Sequence, residues 1–417
     1  MEQGYPMHHY VYNRRLPQLA LIIVAPLALL WSMSPSADDH SSLTAEPEPE
    51  ARVVQSWFNP FGIAVLEGLL EAGSDDNIVI SPLSLATALT MTAQGAAGET
   101  AASFAEVLGY AVEHETVAAD QLGHLNAELT RDAGELILRQ ANGLWIATDM
   151  ELHADFAQAQ HERFAAQIEA VDFSLATTLE AINDWFAEQT AGLIPQLLDS
   201  LAAETRIVLG NALYMKGYWQ TPFDPDLTES APFYRADGTE STVDLMQRQD
   251  SSLLYRETEQ AYAVRLPFAD PEFELSLVLP KPDLDITTLM ASVGTAGLLE
   301  LLAEDGFHPR PGRVAVPRLD LALGGDMTSV LRDLGLFATQ DFSRLAQEPL
   351  VFDQIVHKTA FKLDETGAEA AAATAVIGVR SALPVEPFDL VFNRPFLLSL
   401  RHVPSQALLF VGQVGAP

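Results

Sequence analysis

From Val53 to Pro417 the chain runs for about 365 residues with no linker and no internal repeat. That continuity is the strongest constraint on what it can fold into. A stretch of this length is large for one core, so it must build layers of helix and sheet around a shared apolar interior. The segments change type along the way. Phe58–Ala72 has helical spacing, Asn77–Ile80 is a short β-branched run, and Ser84–Thr92 is helical again, with Ser81 or Ser84 as its cap. Leu136–Ile146 reads as a strand, Thr178–Gln189 as a helix, and the apolar run Ile207–Met215 as a buried strand. Tyr262–Pro267, Phe273–Leu279, Gly312–Leu323, Leu390–Leu400 and Ala407–Val414 all read as strands. Helices come early and strands late, which predicts an α+β fold with large antiparallel sheets.

The residues before Val53 have a different character. Arg14 and Arg15 precede an apolar run from Leu19 to Trp31, then small residues to Ala37 and the acidic pair Asp38-Asp39. Basic, apolar, small is the order of a secretory signal, so residues 1–37 are expected to be a signal peptide, with an uncleaved membrane anchor as the alternative. Residues 38–52, with alternating Glu and Pro from Glu46 to Glu50, read as a flexible acidic linker. Residues 53–417 then form one domain, and the protein is expected to be secreted or periplasmic.

The net charge is −34, from 57 acidic and 23 basic residues. Such a field repels phosphate backbones, so nucleic acid is not an expected partner. There are no cysteines, which excludes disulfides, thiol nucleophiles and cysteine-ligated metal. The chain has no G-x-S-x-G elbow, phosphate loop, H-E-x-x-H pair or dinucleotide fingerprint. No catalytic residue, metal or cofactor is therefore assigned, and a secreted hydrolase is the least supported class.

Four segments carry more information. The first is Asn77–Ile80 with Ser81-Pro82 and Ser84, followed by Gly95, Gly98 and Thr100. The second runs from Leu209 through Asn211, Tyr214, Lys216 and Gly217 to Trp219, then Pro222-Phe223. The third is Val356-His357-Lys358 leading to Leu363, Glu365, Gly367, Glu369 and a run of alanines. The last is Asn393-Arg394-Pro395-Phe396, closing with Phe410, Gly412 and Val414. Ile182, Asn183, Trp185, Thr190, Gly192 and Ile194 add smaller matches. In this order and spacing, the set resembles the serpin family over roughly Val53–Val414. The resemblance implies a monomer with three β-sheets, eight or nine helices and an exposed reactive-centre loop. It further implies an inhibitory member of the bacterial, secreted type, which traps serine proteases irreversibly. Polymers formed by loop insertion between molecules are a further implied possibility.

By that resemblance, the loop's N-terminal arm enters the central sheet after cleavage. Such an arm must fit an already packed sheet, which demands small side chains. Ala368, Ala370, Ala372 and Thr374 fall on one face at strand spacing, and Glu369, Ala371 and Ala373 on the other. Glu365 and Gly367 complete this hinge, the glycine allowing a sharp bend. Taken alone, the run is an alanine-rich helix. The resemblance also implies a polar shutter of Ser81, Ser84, Asn211 and His357 beneath the sheet. At the top, it implies a breach where Trp219 packs and Glu365 pairs with Arg318.

The reactive bond has two candidate positions. Residue chemistry favours Arg380-Ser381, suiting a trypsin-like acidic pocket; loop counting favours Ser381-Ala382, suiting an elastase-like pocket. Glu113, Glu115, Asp120 and Glu128 stand after Gly109 instead of a basic cluster, so no heparin-type activator is expected. A non-inhibitory binding or carrier protein of the same fold is the alternative, against which the small-residue hinge argues.

Overall fold

Local signals explain the first elements. Pro60 opens α1 (Asn59–Glu71), where its missing N–H costs nothing, and Phe61, Ile63, Val65 and Leu66 form its buried face. Strand β1 (Asn77–Ile80) leads to α2 (Pro82–Ala93), which Ser81 caps by accepting a hydrogen bond from the Ser84 N–H at 3.1 Å. The structure, a computed structural model, describes residues 56–73, 77–130, 136–352, 355–367 and 386–417, all within the compact unit Ala51–Pro417. The N-terminal segments 1–37 and 38–52 lie outside the described residues. So do Ala368, Glu369, Ala370, Ala371, Ala372, Ala373, Thr374, Arg380, Ser381 and Ala382.

The chain continues through α3 (Gly98–Leu108), α4 (Glu115–Leu129), β2 (Leu136–Ala147), α5 (Ala154–Phe164), β3 (Gln167–Val171), α6 (Ala176–Gln189) and β4 (Ile207–Gly217). Then come β5 (Asp224–Tyr234), β6 (Glu240–Glu257), β7 (Ala261–Pro267), β8 (Phe273–Pro280) and α7 (Ile286–Leu301). The last elements are β9 (His308–Pro317), β10 (Leu319–Asp326), α8 (Thr328–Asp333), β11 (Val356–Leu363), β12 (Phe388–Val391), β13 (Phe396–His402) and β14 (Leu408–Val414). The fold is α+β with eight α-helices among the described residues, as expected.

Hydrogen bonding traces two sheets. One has five strands in the order β10-β11-β4-β2-β3. The other has nine, β1-β14-β13-β8-β7-β6-β9-β12, with β5 also on β6. The long β6 divides the larger one: its C-terminal end pairs with β7, and a bulge after Asp250 separates that part from the part carrying β5. The third expected sheet is thus β5-β6-β9-β12, continuous with its neighbour through β6. Strands β8 and β13 are buried along their whole length, the polar Glu274, Ser276, Ser399, Arg401 and His402 included.

Two sequence expectations change. Gly312–Leu323 is not one strand, because the chain leaves one sheet at Pro317 and joins the other at Leu319. Leu390–Leu400 likewise divides into β12 and β13 across Asn393-Arg394-Pro395. A proline cannot donate to a ladder, so each break sits where a bond would be missing anyway.

The two sheets meet at Phe361 of β11 and Phe410 of β14, whose rings lie 5.7 Å apart with Phe410 fully buried. Phe410→Ala is expected to lower unfolding stability by about 3–5 kcal/mol, read from the denaturant midpoint of the intact protein.

Candidate functional site

The predicted shutter and breach residues, with Gly367 of the hinge, lie along or beside one seam among the described residues, that between β4 and β11. β4 pairs with β2 from Ile207↔Ile146 to Gly217↔Leu136, its whole length. β11 pairs with β10 from Val356↔Asp326 to Leu363↔Leu319, also its whole length. Against each other they pair only from Val356↔Gly210 to Ala360↔Tyr214. Beyond that level they part, and a cleft of about 480 Å³ opens, bordered by Tyr214, Met215, Lys216, Gly217, Phe361 and Lys362. The chain turns away from β11 at the mouth of this cleft, through Asp364–Gly367.

At the closed end, polar side chains form a continuous row. Asn142, Asn211 and His357 stand at one level on three adjacent strands. The Asn211 amide donates to the Asn142 side-chain oxygen, and the Ser84 hydroxyl donates to that of Asn211. Asn142 in turn donates to the Phe164 carbonyl at 2.8 Å. The His357 Nε2 accepts from the Ser81 N–H at 3.0 Å, so the ring proton sits on Nδ1. Burial pushes the imidazole down to about 3, which keeps it neutral at ordinary pH. The structure therefore brings Ser81, Ser84, Asn211 and His357 together. Sequence reasoning missed Asn142, which follows Arg139 and Gln140 in β2 and does not stand out there.

At the open end, Trp219 is buried and stacks on Phe268 at 4.6 Å between centroids. Its indole N–H donates to the Asp364 carbonyl at 3.0 Å, and its backbone N–H to that of Thr366 at 3.1 Å. The Glu365 carboxylate accepts from Arg318 Nε at 2.9 Å and Nη2 at 2.5 Å, and from the Thr228 hydroxyl at 2.6 Å. Burial pushes this carboxyl up, but the hydrogen bonds from Arg318 and Thr228 outweigh it and hold it below the usual range. Thr228, on the poorly buried β5, gave no sequence signal. Gly367 has φ +90°, and a Cβ there would lie 2.4 Å from the Gly217 carbonyl oxygen and 2.6 Å from the Trp219 nitrogen. Only glycine fits this turn as it stands.

The connection from α6 to β4 reaches the same cleft through Ala191 and Leu193. Asn183 fixes it by accepting from the Leu197 and Leu198 N–H groups at 2.8 and 2.9 Å. Lys358 of β11 donates to the Gln196 carbonyl at 2.8 Å. Two of the acidic residues after Gly109 serve as local partners: Glu115 pairs with Arg344 at 2.9 Å, and Asp120 with Arg163 at 2.5 Å.

A family model described as serpin (serine protease inhibitor) matches residues 58–417. The leukocyte elastase inhibitor of Sus scrofa is 31% identical over 371 residues, spanning 86% of this chain and 97% of that protein. Human serpin B9 is 30% identical over 368 residues, with 86% and 97% covered. Among solved structures, human thyroxine-binding globulin with bound thyroxine has a TM-score of 0.78 at 24% identity, covering 87% of this chain and 98% of that one. Native tengpin, a thermophilic serpin, has a TM-score of 0.75 at 24% identity, covering 87% and 94%. At that identity, these two show the shared fold.

The buried imidazole makes a pH prediction. Its folded pKa lies below the unfolded value, so below about pH 6.5 the unfolded chain takes up a proton that the folded chain refuses. Stability from this residue is complete above pH 6.5 and drains as pH falls toward 3, by up to about 1.4 kcal/mol per pH unit. Between pH 6.5 and 5, His357→Gln is expected to lose about 2 kcal/mol less stability than wild type, measured by denaturant titration at each pH.

Proposed function

The chain belongs to the serpin family, a family of protease inhibitors rather than enzymes, and on that premise we propose that it is an irreversible suicide-substrate inhibitor of serine endopeptidases. A target protease would attack the loop between Gly367 and Phe388, at Arg380-Ser381 or one bond later at Ser381-Ala382. The freed arm would then enter the cleft between β4 and β11 as a new strand. One observation carries this reading: β4 and β11 stop pairing above Ala360 and Tyr214, directly below the point where the chain leaves β11.

Each side-chain cluster has a proposed part in this event. The Asn142–Asn211–His357 row would hold the lower seam shut and exchange its hydrogen bonds as the strand arrives. Trp219 and the Arg318–Glu365 pair would fix the upper end of β11, so that the arm bends at Gly367 and the frame stays in place. The alanines from Ala370 to Ala373 would enter without overpacking. Arginine at position 380 makes trypsin-like enzymes the favoured partners, with elastase-like enzymes as the alternative. The carrier reading has only the likeness of fold in its favour. We also propose export, with residues 1–37 removed, from the basic–apolar–small order before Asp38. Amino-terminal sequencing of the protein released by its host is expected to begin near Asp38; a chain that starts at Met1 and stays with membranes would mean an anchor.

Incubation with trypsin-like and elastase-like proteases is expected to give a complex that survives denaturing gels. The released peptide would begin at Ser381 for the favoured bond and at Ala382 for the other. Loop cleavage by a protease that forms no such complex is expected to raise the melting temperature sharply, because a new strand completes the sheet. No stable complex across the panel, together with equal melting of cut and intact protein, would contradict this function.

A further inference from the structure

The chain has no cysteine, so its sulfur chemistry rests with methionine alone. Met91, Met150, Met246, Met290 and Met327 are buried. Met215, near the end of β4, is the one methionine among the described residues that is only half-buried. It borders the cleft of about 480 Å³.

The strand register explains its exposure. Asn211 and Met215 stand four residues apart on β4, opposite Asn142 and Leu138 of β2, and so on one face of the sheet. Asn211 and Leu213 of that face are buried, where β11 lies alongside them at His357 and Thr359. The pairing of β4 with β11 stops at Tyr214↔Ala360, one residue short of Met215. On that side Met215 therefore meets the cleft, whose other borders include the buried Phe268, Phe361 and Leu400. A thioether suits these apolar neighbours; an oxidised one does not.

We propose that Met215 is an oxidation site that switches off strand entry: peroxide converts it to the sulfoxide, and the sulfoxide keeps a new strand out of the cleft. The proposal rests on the insertion reading above and adds a control on it. The sulfur lone pair takes one peroxide oxygen, the O–O bond breaks, and the other oxygen leaves as water. Sulfur gives up two electrons and peroxide receives them. While the cleft is open, water can solvate the new S=O group. A strand laid against β4 would shut that water out and leave a strong acceptor beside Phe268, Phe361 and Leu400 with no donor. Oxidation and insertion thus oppose each other in both directions: a sulfoxide hinders the strand, and an inserted strand covers the sulfur. A methionine sulfoxide reductase would restore the inhibitor.

The test treats the intact protein with hydrogen peroxide and follows each methionine by peptide mass mapping. Met215 is expected to gain its oxygen before Met91, Met150, Met246, Met290 and Met327. In protein cut in its loop by a protease that it does not trap, Met215 is expected to lose this lead. Peroxide-treated protein is expected to lose protease trapping and to be cut as a substrate. Once cut, it is expected to melt about 2 °C below untreated cut protein, while the intact forms melt alike. Residues 368–385 contain no methionine, so damage at the reactive bond does not account for such a loss. Met215→Leu, which nearly conserves volume, is expected to trap as wild type does and to go on trapping after peroxide. If Met215 reacts no faster than the buried methionines, the site is wrong. If it reacts equally fast in cut and intact protein, or if fully oxidised protein traps like untreated, the switch is wrong while insertion stands. If untreated protein neither traps a protease nor melts higher after cutting, insertion fails and the switch fails with it.

Discussion

The closed end of the β4–β11 seam depends on a few hydrogen bonds between groups that water cannot reach. Asn142, Asn211 and His357 lie in one row, tied to Ser81 and Ser84 at the start of α2. Buried polar groups of this kind are costly to leave unpaired, by about 1–3 kcal/mol each. Both seam strands are therefore anchored to the start of α2, Asn211 through Ser84 and His357 through Ser81. The neutral state of His357 belongs to the same constraint, because its Nε2 can accept from Ser81 only while unprotonated.

The open end is held differently. There Arg318 and Thr228 hold Glu365, and the Trp219 indole and backbone N–H, two residues past the end of β4, reach Asp364 and Thr366 just past the end of β11. These contacts tie the two strand ends together at the top of the cleft. Gly367 marks the boundary between frame and loop, since a side chain at that position would strike the end of β4.

Much of this was legible in the sequence, for reasons that differ by element. Asn77–Ile80 was read with its ends because a short β-branched run stops at Ser81-Pro82. The cap of α2 was legible as Ser81 or Ser84 because capping is local, and the structure has Ser81. Gly312–Leu323 misled because alternation continues through Pro317 while the chain changes sheets, and periodicity carries no information about which sheet a strand joins. The grouping of Ser81, Ser84, Asn211 and His357 was expected from the spacing of family motifs, since a lone histidine in an apolar run says little. Asn142 and Thr228 were invisible: their importance comes from neighbours more than 60 residues away.

The direction of the two seam strands has a consequence of its own. β4 and β11 run parallel where they touch, in slanted bonds that are slightly weaker per residue than antiparallel ones. A segment that folds back after Gly367 runs against both of them at once. Its entry would exchange one short parallel contact for two antiparallel ladders, with no new chain synthesised and no partner required. The protein would then be held short of its best strand arrangement by connectivity alone, and a single cut in the loop would remove that restraint.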